Sequence, residues 1–111
     1  MKIENEFVPY EQALALKELG FNEPCFGYYL DNEFQFFADV RSCNTNSEFG
    51  FYPTAPTYSQ AFRFFREKYD LFISIMHYEN GYSINDLRRF DTYEEAELAC
   101  LKKLIEIVKK Y

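Results

Sequence analysis

The chain has 111 residues, 48% of them hydrophobic, and a net charge of −6, which suits one domain whose core folds without disulfide or metal staples. No run of about 18 apolar residues is present to span a bilayer, and the acidic surplus argues against broad attraction to phosphate backbones, which needs clustered Lys and Arg. Cys25, Cys43 and Cys100 are odd in number and irregularly spaced; with acidic residues where an apolar leader would lie, the expectation is a cytoplasmic protein with reduced thiols.

Residues 1–8 read as an N-terminal tail. The first helix is predicted from about Pro9 to Leu19, because Pro suits a first helical turn and Gly20-Phe21 has the form of a left-handed stop with a hydrophobic residue folding back. Cys25–Leu30 and Phe34–Val40 are aromatic-rich runs around Asp31-Asn32-Glu33, a hairpin pattern. Residues 41–56 turn to Ser, Asn, Thr, Gly and Pro with no helical period and read as a long loop with a short extended piece at Phe49–Tyr52. The second helix runs from Tyr58 to about Tyr69, with Tyr58, Ala61, Phe62, Phe65 and Tyr69 as its buried stripe. Leu71–Tyr78 and Tyr82–Leu87 form a second hairpin around Glu79-Asn80-Gly81, where Asn-Gly is a strong tight-turn signal. The last helix runs from Tyr93 to near the C-terminus, with Ala96, Cys100, Leu101, Leu104, Ile105 and Val108 as its apolar arc.

Each helix opens on Tyr-x-x-Ala: Tyr10-Glu11-Gln12-Ala13, Tyr58-Ser59-Gln60-Ala61 and Tyr93-Glu94-Glu95-Ala96. Thr57 with Gln60 and Thr92 with Glu95 have capping-box spacing, so the repetition is fold grammar and not a site. The order α-β-β-α-β-β-α predicts an α+β domain: a mainly antiparallel sheet of about four strands with helices packed on it.

Charge is unevenly placed. Residues 1–56 hold three basic residues (Lys2, Lys17, Arg41) against nine acidic ones, whereas residues 57–111 hold nine of each. The acidic half reads either as a solvated surface or as one facing a basic partner.

Conventional catalysis has little material. His77 is the only histidine and the four glycines are scattered, so neither a multi-histidine metal site nor a phosphate loop is expected, and no cofactor is implied. A Cys25 or Cys43 thiol paired with His77 is a remote alternative, since the surroundings of neither cysteine suggest an activated thiolate.

The rings are the better lead: thirteen Phe and ten Tyr exceed what a core of this size needs. In the second strand Phe34, Phe36, Ala38 and Val40 share one face, with Gln35, Phe37, Asp39 and Arg41 on the other; in the third, Leu71, Ile73 and Ile75 alternate with Phe72, Ser74, Met76 and Tyr78. With the aliphatic faces toward the helices, Phe37, Phe72, Met76 and Tyr78 look out, joined by Tyr29 if the register allows. Such a face suits a dimer or partner interface, base stacking, or burial as a second small core. On the outer side of the middle helix Phe64, bracketed by Arg63, Arg66 and Lys68, reads either as the edge ring of an ordinary amphipathic helix or as an anchor with a polar rim, to which Arg88 and Arg89 add positive charge.

Three strings carry a resemblance: Val8-Pro9-Tyr10-Glu11-Gln12-Ala13 with Leu19-Gly20-Phe21-Asn22-Glu23-Pro24-Cys25, then Ala55-Pro56-Thr57-Tyr58-Ser59-Gln60-Ala61-Phe62, then Thr92-Tyr93-Glu94-Glu95-Ala96-Glu97-Leu98-Ala99-Cys100-Leu101-Lys102-Lys103-Leu104. Together the chain resembles a family of small uncharacterised proteins of bacteriophages and prophages of anaerobic gut bacteria. The resemblance transfers no activity or catalytic residue. It implies an accessory factor that binds a host protein, a nucleic acid or a signalling nucleotide, some such factors blocking antiviral defence. The expectation is therefore a non-enzymatic protein that binds a host protein or itself as a dimer, inhibiting or sequestering a host defence system. The alternative is a nucleic-acid or nucleotide binder that stacks on Tyr29, Phe37, Phe72 or Tyr78 and holds phosphate with Arg63, Arg66, Arg88 or Arg89.

Overall fold

A computed structural model describes residues 3–37, 45–49, 52–71, 73, 75–78, 81–84 and 89–110. The chain divides into two units, Met1–Ala61 and Phe62–Tyr111.

The first unit opens on a 3-10 turn, Ile3–Glu6, and α1, Tyr10–Glu18. The predicted stop of α1 forms in full. Gly20 takes φ 95, its N–H donates to Lys17 O at 3.1 Å, and the N–H of Phe21 donates to Leu16 O at 2.9 Å. That double bond satisfies the orphan carbonyls of the last turn and drives Phe21 into the core. β1, Gly27–Leu30, and β2, Glu33–Phe36, pair antiparallel across the two-residue turn Asp31-Asn32. Both turn residues have positive φ (48 and 77), which matches the right-handed twist of the strands and which Asp and Asn tolerate best after Gly.

β3, Thr54–Ala55, pairs antiparallel with β1, so the first sheet has the order β2-β1-β3. Between them α2, Asn46–Phe49, is held by one buried amide. Asn46 Nδ2 donates to Phe21 O at 2.9 Å, while its Oδ1 accepts from Thr54 N at 2.9 Å and Thr54 Oγ1 at 3.0 Å. Phe7, Val8, Ala13, Leu16, Tyr29 and Ala55 are buried around this frame.

α3, Tyr58–Tyr69, begins in the first unit and continues into the second. Its capping box is reciprocal: Gln60 N donates to Thr57 Oγ1 at 3.2 Å and Thr57 N donates to Gln60 Oε1 at 3.0 Å. Asp70, at φ 56, ends the helix, and the N–H of Leu71 donates back to Phe65 O at 3.1 Å. In the second unit β4, Ile75–Tyr78, β5, Gly81–Ile84, and β6, Arg89–Phe90, pair antiparallel in chain order. α4, Tyr93–Lys109, starts where Thr92 Oγ1 accepts from Glu95 N at 3.2 Å and lies against all three strands. Its apolar arc is buried as predicted, Ala96 through Val108.

The α+β class and the order of the main elements follow the sequence expectation. Three points are corrected. Among the described residues one sheet of about four strands is replaced by two sheets of three, with the two-residue strands β3 and β6 added beside β1 and β5. Phe7 and Val8, read as the end of a tail, are packed instead: Phe7 bridges Thr57, Val8 N donates to Pro56 O at 2.9 Å, and both are buried. The 41–56 loop is structured from Thr45 onward where described, with Phe49 ending a helical turn instead of starting an extended piece.

Candidate interaction surface

Alternation along the first hairpin places Gly27, Tyr29, Phe34 and Phe36 on one face and Phe26, Tyr28, Leu30, Gln35 and Phe37 on the other. Gly27 is where the chain yields to a ring. A Cβ there would lie 2.6 Å from Phe34 Cζ, so the missing side chain lets Phe34 lie across β1. Phe34 in turn packs on Phe7 (centroids 4.7 Å), Phe36 (4.8 Å) and Tyr29 (5.7 Å), forming a continuous aromatic ledge. The inner end of the ledge is closed. The outer end is Phe36, 50% exposed although it also meets Phe7 at 5.8 Å. Phe26, 52% exposed, stands beside it on the opposite face, and Leu30 and Tyr52 are exposed too. Exposed Asp31 and Glu33 flank the turn.

Several predicted site residues land elsewhere. Tyr29 is corrected from an open stacking ring to a core residue: it is 7% exposed, its hydroxyl donates to Val8 O at 2.6 Å, and Tyr10 packs edge-on at 5.7 Å. Phe37 is half-buried on Tyr28 at 4.9 Å instead of standing free. Met76 and Tyr78 lie on β4 of the second sheet, so they share no sheet face with Phe37. Arg89 lies on β6, while Phe72 and Arg88 fall outside the described residues.

On α3 Arg63 and Arg66 are exposed, as expected. Phe64 is not an exposed anchor: at 8% exposure it packs against Phe65 at 5.4 Å and Tyr69 at 5.8 Å, with Lys68 Nζ 5.4 Å from its ring centroid. Its ring contacts with Phe65 and Tyr69 widen the buried arc beyond the i, i+3, i+4, i+7 stripe.

The open rings Phe26 and Phe36 escaped the sequence reading. Phe36 alternates correctly with the inner face, but β2 ends there and nothing described covers it. Phe26 precedes Gly27 and sits off the inner face by one residue, a signal that the strand boundary alone would have supplied.

The thiols are quiet. Cys25 and Cys100 are buried thiols in no disulfide, Cys25 Sγ lying 3.4 Å from Glu23 O, and Cys43 lies outside the described residues. Burial, and then the Glu97 carboxylate, push the Cys100 thiol up to about 11, the opposite of an activated nucleophile. Among the described residues no three His, Cys, Asp or Glu side chains gather to hold a metal ion, and no helix is long and apolar enough to cross a membrane.

No protein-family model, curated protein or solved structure matches the chain.

Proposed function

We propose that the protein is a non-enzymatic binding module whose partner is a protein with a basic contact surface, engaged through the open end of the first hairpin. The observation that carries this is exposed Phe36, at the end of the aromatic ledge, in a strongly acidic unit, with Phe26 exposed on the other face of the same hairpin end. Large rings left half in water form an anchor for a partner's apolar side chains. Within residues 1–61 three basic residues face nine acidic ones, which steers cationic partners in and keeps nucleic acid out. The resemblance to phage-encoded accessory proteins supports a host protein as the partner, with inhibition or sequestration of a host defence system as the outcome.

The test is affinity capture from host lysate with the intact chain and a Phe26→Ser/Phe36→Ser variant, followed by mass spectrometry of protein and small-molecule eluates. Prey held by the intact chain and lost by the variant supports the reading. A nucleotide or nucleic acid in the eluate, held equally by both proteins, overturns it in favour of phosphate binding by exposed cations such as Arg63 and Arg66.

A further inference from the structure

We infer that the outer edge of β2 accepts an extended segment of the partner as an added antiparallel or parallel strand, and that this segment alternates apolar residues with Lys or Arg. The inference rests on the protein-binding reading above and specifies its mode. Strand order puts β2 at the edge of the first sheet, with β1 on its inner side only.

The orientation of its main chain follows from the turn. In a hairpin closed by two residues, the flanking pair Leu30 and Glu33 exchange hydrogen bonds, and bonded and non-bonded pairs then alternate along the ladder. The N–H of Phe37 donates to Phe26 O at 2.9 Å, which has the parity this alternation requires. Glu33, Gln35 and Phe37 therefore turn their main-chain groups toward β1. Phe34 and Phe36 turn theirs outward, and no described backbone group pairs with them.

Edge strands that stay single are usually guarded by short length, charge, Pro or a bulge. β2 is short and carries one charge, Glu33 at its turn end, but Phe34-Gln35-Phe36 has no charge, Pro or bulge, and the register against β1 is unbroken over four pairs. The edge also offers side-chain recognition. The half-open Phe36 ring, backed by Phe34 and Phe7, is a ledge for an apolar residue of the incoming strand. Exposed Glu33 and Asp31, at one end of the strand, complement a cation. Charge also selects among occupants. A second copy would bring the same acidic unit, nine acids against three bases, onto itself, whereas a basic segment relieves that field.

The experiment is site-resolved amide hydrogen exchange on the full chain with a ten-residue peptide of alternating Val and Lys, and with its Val-Glu counterpart as control. The Val-Lys peptide is expected to slow exchange at Phe34 and Phe36 by about tenfold or more while leaving the already bonded Gln35 amide unchanged. Added salt should weaken the effect, and the Val-Glu peptide should not produce it. Phe36→Ala keeps the outward N–H and should retain slowed exchange at Phe34; Phe36→Pro removes that donor and should lose it. Peptide binding with unchanged exchange at Phe34 and Phe36, or no binding of the Val-Lys peptide, overturns edge pairing while leaving the capture result of the previous section intact. Concentration-dependent protection of the same two amides in the protein alone overturns the basic occupant in favour of a second copy. Failure of the protein-binding reading itself shows separately, as loss of protein prey in the capture experiment.

Discussion

The two units solve the same problem with unequal means. Each has a three-stranded antiparallel sheet, but the second lies under α4, a 17-residue helix that meets β4, β5 and β6, whereas the first has the nine-residue α1, whose packing on the sheet centres on β3. α4 buries six apolar residues and α1 buries Ala13 and Leu16. The longer helix leaves one large hydrophobic side chain exposed among the described residues of its unit, Tyr93, while the first unit leaves Phe26, Leu30, Phe36 and Tyr52. Charge divides along the same line, strongly acidic in residues 1–61 and balanced in residues 62–111. Ring content is therefore a poor guide to a binding surface. Among the side chains described, coverage follows helix length, and the rings proposed above as contacts belong to the unit with the shorter helix.

Removing a core residue from the well-covered unit gives the largest expected effect. Leu104→Ala should cost about 3 kcal/mol, because a fully enclosed side chain leaves both lost transfer energy and a cavity. Urea denaturation measures it, and a loss below about 1 kcal/mol would mean that α4 does not seal its sheet as described. Two changes in the first unit follow. Asn46→Ala should cost about 2 kcal/mol, since Thr54 N–H and Phe21 O both lose a buried partner at once. Gly27→Ala should cost about 1–3 kcal/mol by forcing the Phe34 ring off β1, where the new Cβ would sit within 2.9 Å of Gln35 O as well. If Gly27→Ala is neutral, the ring is not pinned and the ledge is softer than its geometry implies.

Helix grammar was the most legible part of the chain. Thr57, Gln60, Thr92, Gly20 and Phe21 act within four or five residues of sequence, and each behaves as its local chemistry dictates. The turn at Asp31-Asn32 was legible for the same reason, although Glu33, read as part of it, opens β2. Strand partnership was not. Thr54–Ala55 pairs with a strand more than twenty residues earlier, and two residues show no alternation to read. The site suffered from this most. Tyr29 looked outward on paper because its face depends on register, and register is set by pairing with both β2 and β3. Phe64 looked exposed because an ideal helical stripe does not show the ring contacts with Phe65 and Tyr69 that draw it in.

A smaller effect, visible only in alkali, separates the thiol of the covered sheet from an exposed one. Cys100 keeps its proton to about 11 in the fold, against an ordinary value of 9.0. The neutral thiol is favoured by burial, so its contribution to stability is complete below pH 9 and disappears as the pH climbs toward 11. The stability gap between wild type and Cys100→Ala should narrow by roughly 2 kcal/mol over that window, read as the difference between two urea titrations so that the tyrosines cancel. A constant gap would mean that the thiol is wetter than its burial indicates.

The smallest expected effect on stability belongs to the residue with the largest expected effect on binding. Phe36→Ala removes a ring already half in water and should cost less than about 1 kcal/mol, well under the cost of Leu104→Ala. The same substitution should weaken the Val-Lys peptide severalfold, because the partner's apolar side chain loses its ledge while the outward N–H of the edge remains. That split, stability nearly untouched and affinity reduced, is what an exposed anchor predicts and a core residue does not. Were Phe36→Ala to destabilise the fold as much as Leu104→Ala, the ring would be structural, and the contrast between a buried α4 arc and an open β2 ring would fail at its most exposed point.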